Sequence, residues 1–266
     1  MIPRNALEHG GRSDVLILGG GPAGSASALA LAHRGFAVTV IERSQFEAVR
    51  LGETLSPDIQ RPLARLGVWE RFLAAGHLAS PGIVSVWGDV EPYDNDFILN
   101  PYGDGWHIDR QRFDAMLALA AAEAGARIFR GAKLTSCQQE PAGDWRIEAV
   151  VNGQPLRLQA EFLVDATGRA SWLAQRQGAR KLIHDHMIGI VGFCGSPSAT
   201  ETCDQRTLVE AAETGWWYSA LLPNQRSVAA FMTDADLVPK GRSDVRSFWR
   251  SSLKNCPYTS TVRFRF

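Results

Sequence analysis

Three glycines and one carboxylate carry the first recognisable chemistry in this sequence. Gly19, Gly21 and Gly24 stand in the spacing G-x-G-x-x-G inside DVLILGGGPAGSASALALAHRGFAVTVIER, and Glu42 closes the stretch's second apolar run. Each glycine has a separate task in such a turn: Gly19 permits the tight bend, Gly21 leaves bare backbone for a pyrophosphate, and Gly24 lets helix and strand pack closely. Pro22 and Ala23 then open a helix whose first N–H groups and dipole favour phosphate charge. A carboxylate about 20 residues after the motif accepts ribose hydroxyls. Such an acid favours an unphosphorylated ribose, hence FAD or NAD over NADP.

The motif needs a strand before it, a helix after it and a second strand ending at the acid, and the sequence supplies all three. Residues 15–18 and 37–41 read as short buried strands, and 22–33 as an alanine-rich helix. Further on, Asp109 is a natural N-cap for a helix over 111–124. Its buried stripe is Phe113, Met116, Leu117, Ala120 and Ala124, which leaves Arg110 free at the helix head. A β-meander follows, with strands at 134–139, 145–151 and 156–159 and a hairpin turn at Asn152-Gly153. An exit strand at 162–164 delivers Asp165 into the turn Asp165-Ala166-Thr167-Gly168.

After Gly178 the texture becomes extended, with strands expected at 186–194, 208–213, 216–222 and 227–233, and an outer helix at 244–253. They predict a second, antiparallel sheet, joined by the Gly- and aromatic-rich region 82–106. In this sheet, strict alternation puts Trp216, Tyr218, Ala220 and Leu222 on one face and Trp217, Ser219 and Leu221 on the other. The fold class is therefore α/β: a Rossmann-like dinucleotide-binding domain with a β-meander, plus a mainly antiparallel α+β domain. The expected segments are 13–80 and 107–180 for the nucleotide domain, 81–106 and 181–255 for the second domain, and an irregular tail at 256–266.

Bulk composition excludes several alternatives. Of the 266 residues, 45% are hydrophobic, and 28 basic residues balance 28 acidic ones, so no net field recruits nucleic acid. No apolar run approaches the roughly 20 residues of a membrane span. Cys137, Cys194, Cys203 and Cys256 lack metal-ribbon spacing, and with no leader read upstream they fit free thiols in a cytoplasmic protein. The pair His184 and His186 has no third ligand, so no metal is expected. No nucleophile elbow and no phosphate-loop lysine are present.

Three further stretches, Arg50 to Leu55, Ile108 to Asp114 and Val164 to Ser171, join GGGPAG and the terminal Glu42-Arg43. Together they resemble the FAD-dependent aromatic hydroxylase superfamily of class A flavoprotein monooxygenases. That superfamily also holds flavin-dependent halogenases, geranylgeranyl-reductase-like enzymes and the flavoproteins that mature lysine-oxidase-type quinoproteins. The resemblance implies that the first domain is a glutathione-reductase-type FAD-binding domain and the second a substrate domain, with FAD as cofactor, reduced by NAD(P)H or by a separate flavin reductase. It places Arg43, Arg110, Asp165 and Gly168 beside the FAD and Gly52 and Glu53 on its isoalloxazine side. It offers Trp216, Trp217, Tyr218 and His107 as substrate-pocket residues and assigns no catalytic side chain.

The activity so implied is hydroxylation through a flavin hydroperoxide. The substrate is a small aromatic compound or a tryptophan of a partner protein, because GETLSP, GWHIDRQRFDAML and FMTDADL look most like the quinoprotein-maturing group. The resemblance argues against halogenation, since halogenases of this group need an early lysine and none precedes Lys133. A silent nucleotide-binding remnant and an isoprenoid-saturating reductase are the alternatives. The family pattern continues into a Gly-Asp motif that is not reached by Phe266, and a chain ending there is expected to hold FAD poorly.

Overall fold

The computed structural model describes residues 11–47, 49–89, 91–195, 204–223 and 226–262. Cys203 and part of the expected turn at 223–226 lie outside them. The chain begins with β1 (Arg12–Leu18), α1 (Pro22–Ala32) and β2 (Val38–Glu42), then β3 (Thr54–Leu55), α2 (Gln60–Arg65), α3 (Trp69–Ala74), β4 (Leu78–Ser80), β5 (Gly82–Val86), β6 (Tyr93–Asp96) and β7 (Gly105–His107). It continues with α4 (Arg110–Glu123), β8 (Arg127–Arg130), β9 (Ala132–Gln139), β10 (Trp145–Val151), β11 (Gln154–Asp165) and α5 (Trp172–Arg176). The last third holds β12 (Met187–Gly195), β13 (Thr207–Ala212), β14 (Gly215–Leu222), β15 (Arg226–Asp234), α6 (Arg242–Lys254) and α7 (Pro257–Val262).

Two compact units result, one of residues up to Leu51 with 64–72 and 110–181, the other of 52–63, 73–109 and 182–266. In the first, a six-stranded sheet runs in the order β8-β2-β1-β11-β10-β9. The first four strands pair parallel, and the last three form an antiparallel meander. Both faces of the parallel part are covered, so β1 and β2 read as unbroken apolar runs rather than alternating ones. One face holds Leu16, Leu18, Ile41, Ile147, Leu156, Leu158 and Leu173. On the helical side α1 packs on α4 through Ala28, Leu29, Leu117, Ala118 and Ala121, all buried.

The exit strand expected at 162–164 is not a separate element. β11 is one strand of 12 residues that pairs antiparallel with β10 from Gln154 to Ala160 and parallel with β1 from Gln159 to Asp165. The small Ala160 and the exposed Glu161 hid this continuity, but Ala160 is buried in the core and Glu161 faces solvent, so the alternation of the strand runs on through them. The hairpin at Asn152-Gly153 has both residues at positive φ, 51° and 79°, the geometry of a primed two-residue turn.

The second unit has a six-stranded sheet in the order β12-β15-β14-β13-β5-β6, antiparallel except where β13 meets β5. A small sheet, β3-β7-β4, completes it. Trp217 stacks on Phe231 at 4.8 Å and meets Trp249 of α6 edge-on at 5.3 Å. Gly192 makes room for this helix, since a Cβ there would lie 2.7 Å from the Trp249 ring, whose indole N–H donates to Ile190 O at 3.1 Å. The tail expected to be irregular from residue 256 instead contains α7. Buried Glu210 accepts the N–H groups of Tyr258 and Thr259 and so supplies the helix with the acceptors its first turn lacks. Among the described residues no helix is long and apolar enough to cross a membrane.

Candidate functional site

In the first unit the glycine loop leaves β1 at Leu18, the residue paired with both Ile41 and Asp165. The three strand ends therefore deliver Gly19, Glu42 and Asp165 to one edge of the sheet. Gly19 has φ 103°, and a Cβ on it would lie 2.4 Å from Ala166 O; one on Gly24 would lie 1.9 Å from Gly19 O. Gly21 differs, because its Cβ would meet only the Arg50 Nη1, at 3.7 Å. Two glycines are thus demanded by the protein's own packing, while the third leaves a gap that packing does not require. Gly21 is extended at the N-cap of α1, with Pro22 next in the first turn. That is an anion cradle: open backbone at the positive end of an 11-residue helix.

Glu42 is buried, and it is heavily engaged. Its Oε2 accepts Gly20 N–H at 2.7 Å, and its Oε1 accepts Ser44 N–H at 2.8 Å, Ser44 Oγ–H at 2.5 Å and Arg50 Nη2 at 3.2 Å. Burial alone would raise its pKa, but the Ser44 hydroxyl, the N–H groups of Gly20 and Ser44 and the Arg50 charge outweigh burial and hold it below the usual carboxylate range. Gly20, which the spacing leaves unspecified, is fixed by the same contact, since a Cβ there would lie 2.9 Å from the Glu42 Cβ.

Arg50 is the residue that sequence reasoning missed. It reaches Glu42 with Nη2 and the fully buried Asp114 with Nη1 at 3.1 Å. Arg110, expected to stand free, is a correction: its Nε lies 3.3 Å from Asp114 Oδ1, and its Nη1 donates to Leu51 O at 2.5 Å. Asp114, one turn further along α4, is what captures it. Glu42, Arg50, Asp114 and Arg110 form one alternating network along the cradle side of the unit. The signal was available as Asp114 at i+4 from Arg110, next to the apolar stripe.

Asp165 is held in place by four hydrogen bonds. Oδ1 accepts from Thr167 N–H and Oγ–H, and Oδ2 from the N–H groups of Leu173 and Ala174 at the start of α5. Burial pushes its pKa up, and these donors push it further down. Gly168 follows at φ 63°, and Arg43 is exposed just after β2.

The second unit carries Gly52, Glu53, His107, Trp216, Trp217 and Tyr218. Glu53 is buried, and its Oε2 accepts Gly52 N–H at 2.9 Å. Trp217, offered as a pocket residue, is completely buried between β15 and α6 and is a core ring. Trp216 and Tyr218 lie on the other face, partly exposed, with Trp216 6.1 Å from Trp87. The Tyr218 hydroxyl meets Thr54 Oγ1 at 2.6 Å, and His107 Nε2 meets Thr207 Oγ1 at 2.9 Å.

Residues 12–247 match the family described as FAD binding domain. The chain belongs to this family. It is 30% identical over 243 residues to LodB of Marinomonas mediterranea, named an FAD-dependent oxidoreductase, covering 90% of this chain and 65% of LodB. It is 34% identical over 257 residues to a tryptophan 2-halogenase of Chondromyces crocatus, covering 93% of this chain and 49% of that one. Among solved structures, the flavin-dependent halogenase CmlS superposes with a TM-score of 0.84 at 25% identity over 94% of this chain and 47% of its own. The p-nitrophenol 4-monooxygenase PnpA of Pseudomonas putida superposes at 0.75 with 16% identity, over 92% of this chain and 62% of its own, a likeness of fold. The chain thus spans between about half and two thirds of these relatives. FAD is the family's cofactor, and the open Gly21 backbone at a helix N-terminus beside Glu42 fits its pyrophosphate and ribose.

Proposed function

We propose that this chain is the FAD-binding part of an oxidoreductase that hydroxylates an electron-rich aromatic substrate, either a small molecule or a tryptophan side chain of a partner protein. The observation that carries the cofactor part of the reading is the Gly21 gap: packing requires Gly19 and Gly24, whereas at Gly21 it leaves open backbone at a helix N-terminus that a pyrophosphate would fill. Gly21 and the α1 N-terminus receive the pyrophosphate. Glu42 turns its remaining acceptor capacity on a ribose hydroxyl while Gly20 and Ser44 keep it ionised. Arg50, anchored by Glu42 and Asp114, sets positive charge beside the phosphates without relying on a flexible side chain. Arg110 reinforces Asp114 from the other side. FAD, reduced by electrons from NAD(P)H or a separate reductase, would supply the oxygen activation; the protein's part is to bind, orient and exclude water. The likeness of GETLSP, GWHIDRQRFDAML and FMTDADL to the quinoprotein-maturing flavoproteins supports the protein-directed version, with a partner protein as substrate.

Halogenation is the second reading, favoured by the 34% identity to a tryptophan 2-halogenase and opposed by the absence of any lysine before Lys133. One experiment separates them. The protein, supplied with reduced FAD, oxygen and tryptophan or a tryptophan-containing peptide, is assayed by mass spectrometry with and without chloride or bromide. A product one oxygen heavier, independent of halide, is expected. Halogenated product would establish the second reading, and no turnover with a bound yellow cofactor would refute both.

A further inference from the structure

Phe46 is a bulky residue held at φ 63°, in the left-handed region, with only 6% of its surface exposed. Side chains of this size avoid that conformation, and where it persists the surroundings enforce it, often at a clamp on a ligand. Two guanidinium groups lie over the ring. The Arg50 Cζ stands 5.7 Å from the ring centroid and the Arg130 Cζ, from the end of β8, 5.4 Å, both within the reach of a cation–π contact. The turn that carries the ring is tied to the same partners. Ser44 Oγ donates to Glu42 Oε1, accepts from Arg50 Nη2 at 2.7 Å and receives the Phe46 N–H at 3.4 Å.

We propose that Phe46 is a positioning residue for cofactor binding, whose ring supports the face of the Arg50 guanidinium and so keeps Nη1 turned toward the Gly21 gap to meet a diphosphate. An arginine side chain has five N–H hydrogens in one plane. Nη2 gives its two to Ser44 Oγ and Glu42 Oε1, and Nη1 gives one to Asp114 Oδ2, which leaves, among the described residues, the second Nη1 hydrogen and the Nε–H. Nη1 is also the atom that borders the gap, 3.7 Å from where a Cβ on Gly21 would stand. The three acceptors hold the guanidinium by its edge. Hydrogen bonds in the plane do little against tipping out of it, and a ring over the face does. Arg130 braces that ring from the neighbouring strand. The strain at Phe46 is then the cost of bringing a ring, from the same short turn as Ser44, against an arginine four residues later. The ligand at Nη1 rests on the FAD reading above; the support of Arg50 by Phe46 does not.

Phe46→Leu tests the ring directly. It keeps apolar bulk, loses the π face and, being unbranched at Cβ, adds no strain at positive φ. Two measurements on the full chain follow. Nitrogen-15 spectra of arginine-labelled protein, with Arg50 assigned by the signals lost in Arg50→Gln, report exchange between Nη1 and Nη2. Slow exchange is expected in the wild type, and exchange faster by about 2- to 30-fold in Phe46→Leu, the span of a cation–π contact from exposed to desolvated settings. Fast exchange in the wild type, or an unchanged rate in Phe46→Leu, overturns the proposal. Titration with FAD then closes a double-mutant cycle. Phe46→Leu should raise the Kd by a similar factor, because the competent pose of Arg50 is less populated, and should change nothing further in the Arg50→Gln background. An equal loss in both backgrounds, or none in the first, overturns the positioning role. If Phe46→Leu does not fold, the unbranched Phe46→Met replaces it. If Arg50→Gln binds FAD too weakly to measure, the exchange rates decide the proposal, for it or against it. If the wild type itself binds no FAD, the cofactor reading falls, and the exchange rates alone decide whether Phe46 holds Arg50.

Discussion

At the scale of single residues, the glycine loop separates what folding needs from what binding needs. Gly21→Val places a branched side chain in the cradle, where only the Arg50 tip is near, so FAD binding should be abolished with the circular dichroism spectrum unchanged. Gly24→Ala does the reverse, because its Cβ would collide with Gly19 O at 1.9 Å, and should cost stability before it costs affinity. Glu42 adds a pH prediction. Its folded-state pKa lies below the unfolded value, so its contribution is present above about pH 4.3 and is lost as pH falls through that range. Thermal melts between pH 7 and 3 should show an acid limb that is shallower in Glu42→Gln, with the variant less stable at pH 7. The turn itself was legible because its glycine spacing follows from local backbone geometry. Arg50 was not, since it reaches Asp114 from 64 residues away; the capture of Arg110 was signalled by the i,i+4 spacing to Asp114, but a carboxylate beside an apolar stripe looks like a solvent-facing residue until its partners are seen.

At the scale of elements, sequence alternation placed the rings of β14 correctly on two faces but could not say which face meets what. Trp217 and Trp216 are adjacent and chemically identical; only α6, which brings Trp249 from over 30 residues away, makes one a core residue. Trp217→Ala should therefore cost about 3–5 kcal/mol in urea unfolding, and Trp216→Ala well under half of that. Helix α7 was illegible for a related reason. Its polar residues, Thr259, Ser260 and Thr261, are poor helix formers, and what starts the helix is Glu210, contributed by β13. The same neighbourhood raises the Cys256 thiol to about 11, through burial first and the Glu210 charge second, so Cys256 should be inert to alkylating reagents at pH 8 in the folded state.

At the scale of the whole molecule, the alternation of strand, helix and strand at the front and the runs of strands behind were enough to anticipate an α/β nucleotide unit and a mainly antiparallel one. The expected segments already alternated between two domains. Residues 52–63 and 73–109 group with the second unit, and the chain returns to the first at Arg110; that 52–63 and 73–80 fall there is set by tertiary pairing and not by any local signal. FAD binds the folded chain and not the unfolded one in this reading. At a concentration about 100 times its Kd it should add about 2.7 kcal/mol of stability, visible as a rise in melting temperature that Gly21→Val lacks.

β11 has a consequence of its own. Its first half is clamped to a hairpin and its second half to the strand that carries the glycine loop, so the strand acts as a gauge block that fixes the distance between hairpin and ligand edge. Inserting one residue between Gln154 and Leu158 would either break one clamp or push Asp165 out of step with Leu18, turning every later side chain to the opposite face. Substitutions at the exposed positions of the outer half of β11, Gln154, Pro155, Arg157 and Gln159, should be well tolerated, while a change of length by a single residue should not be. The evolution of this fold is freer to repaint that strand than to resize it.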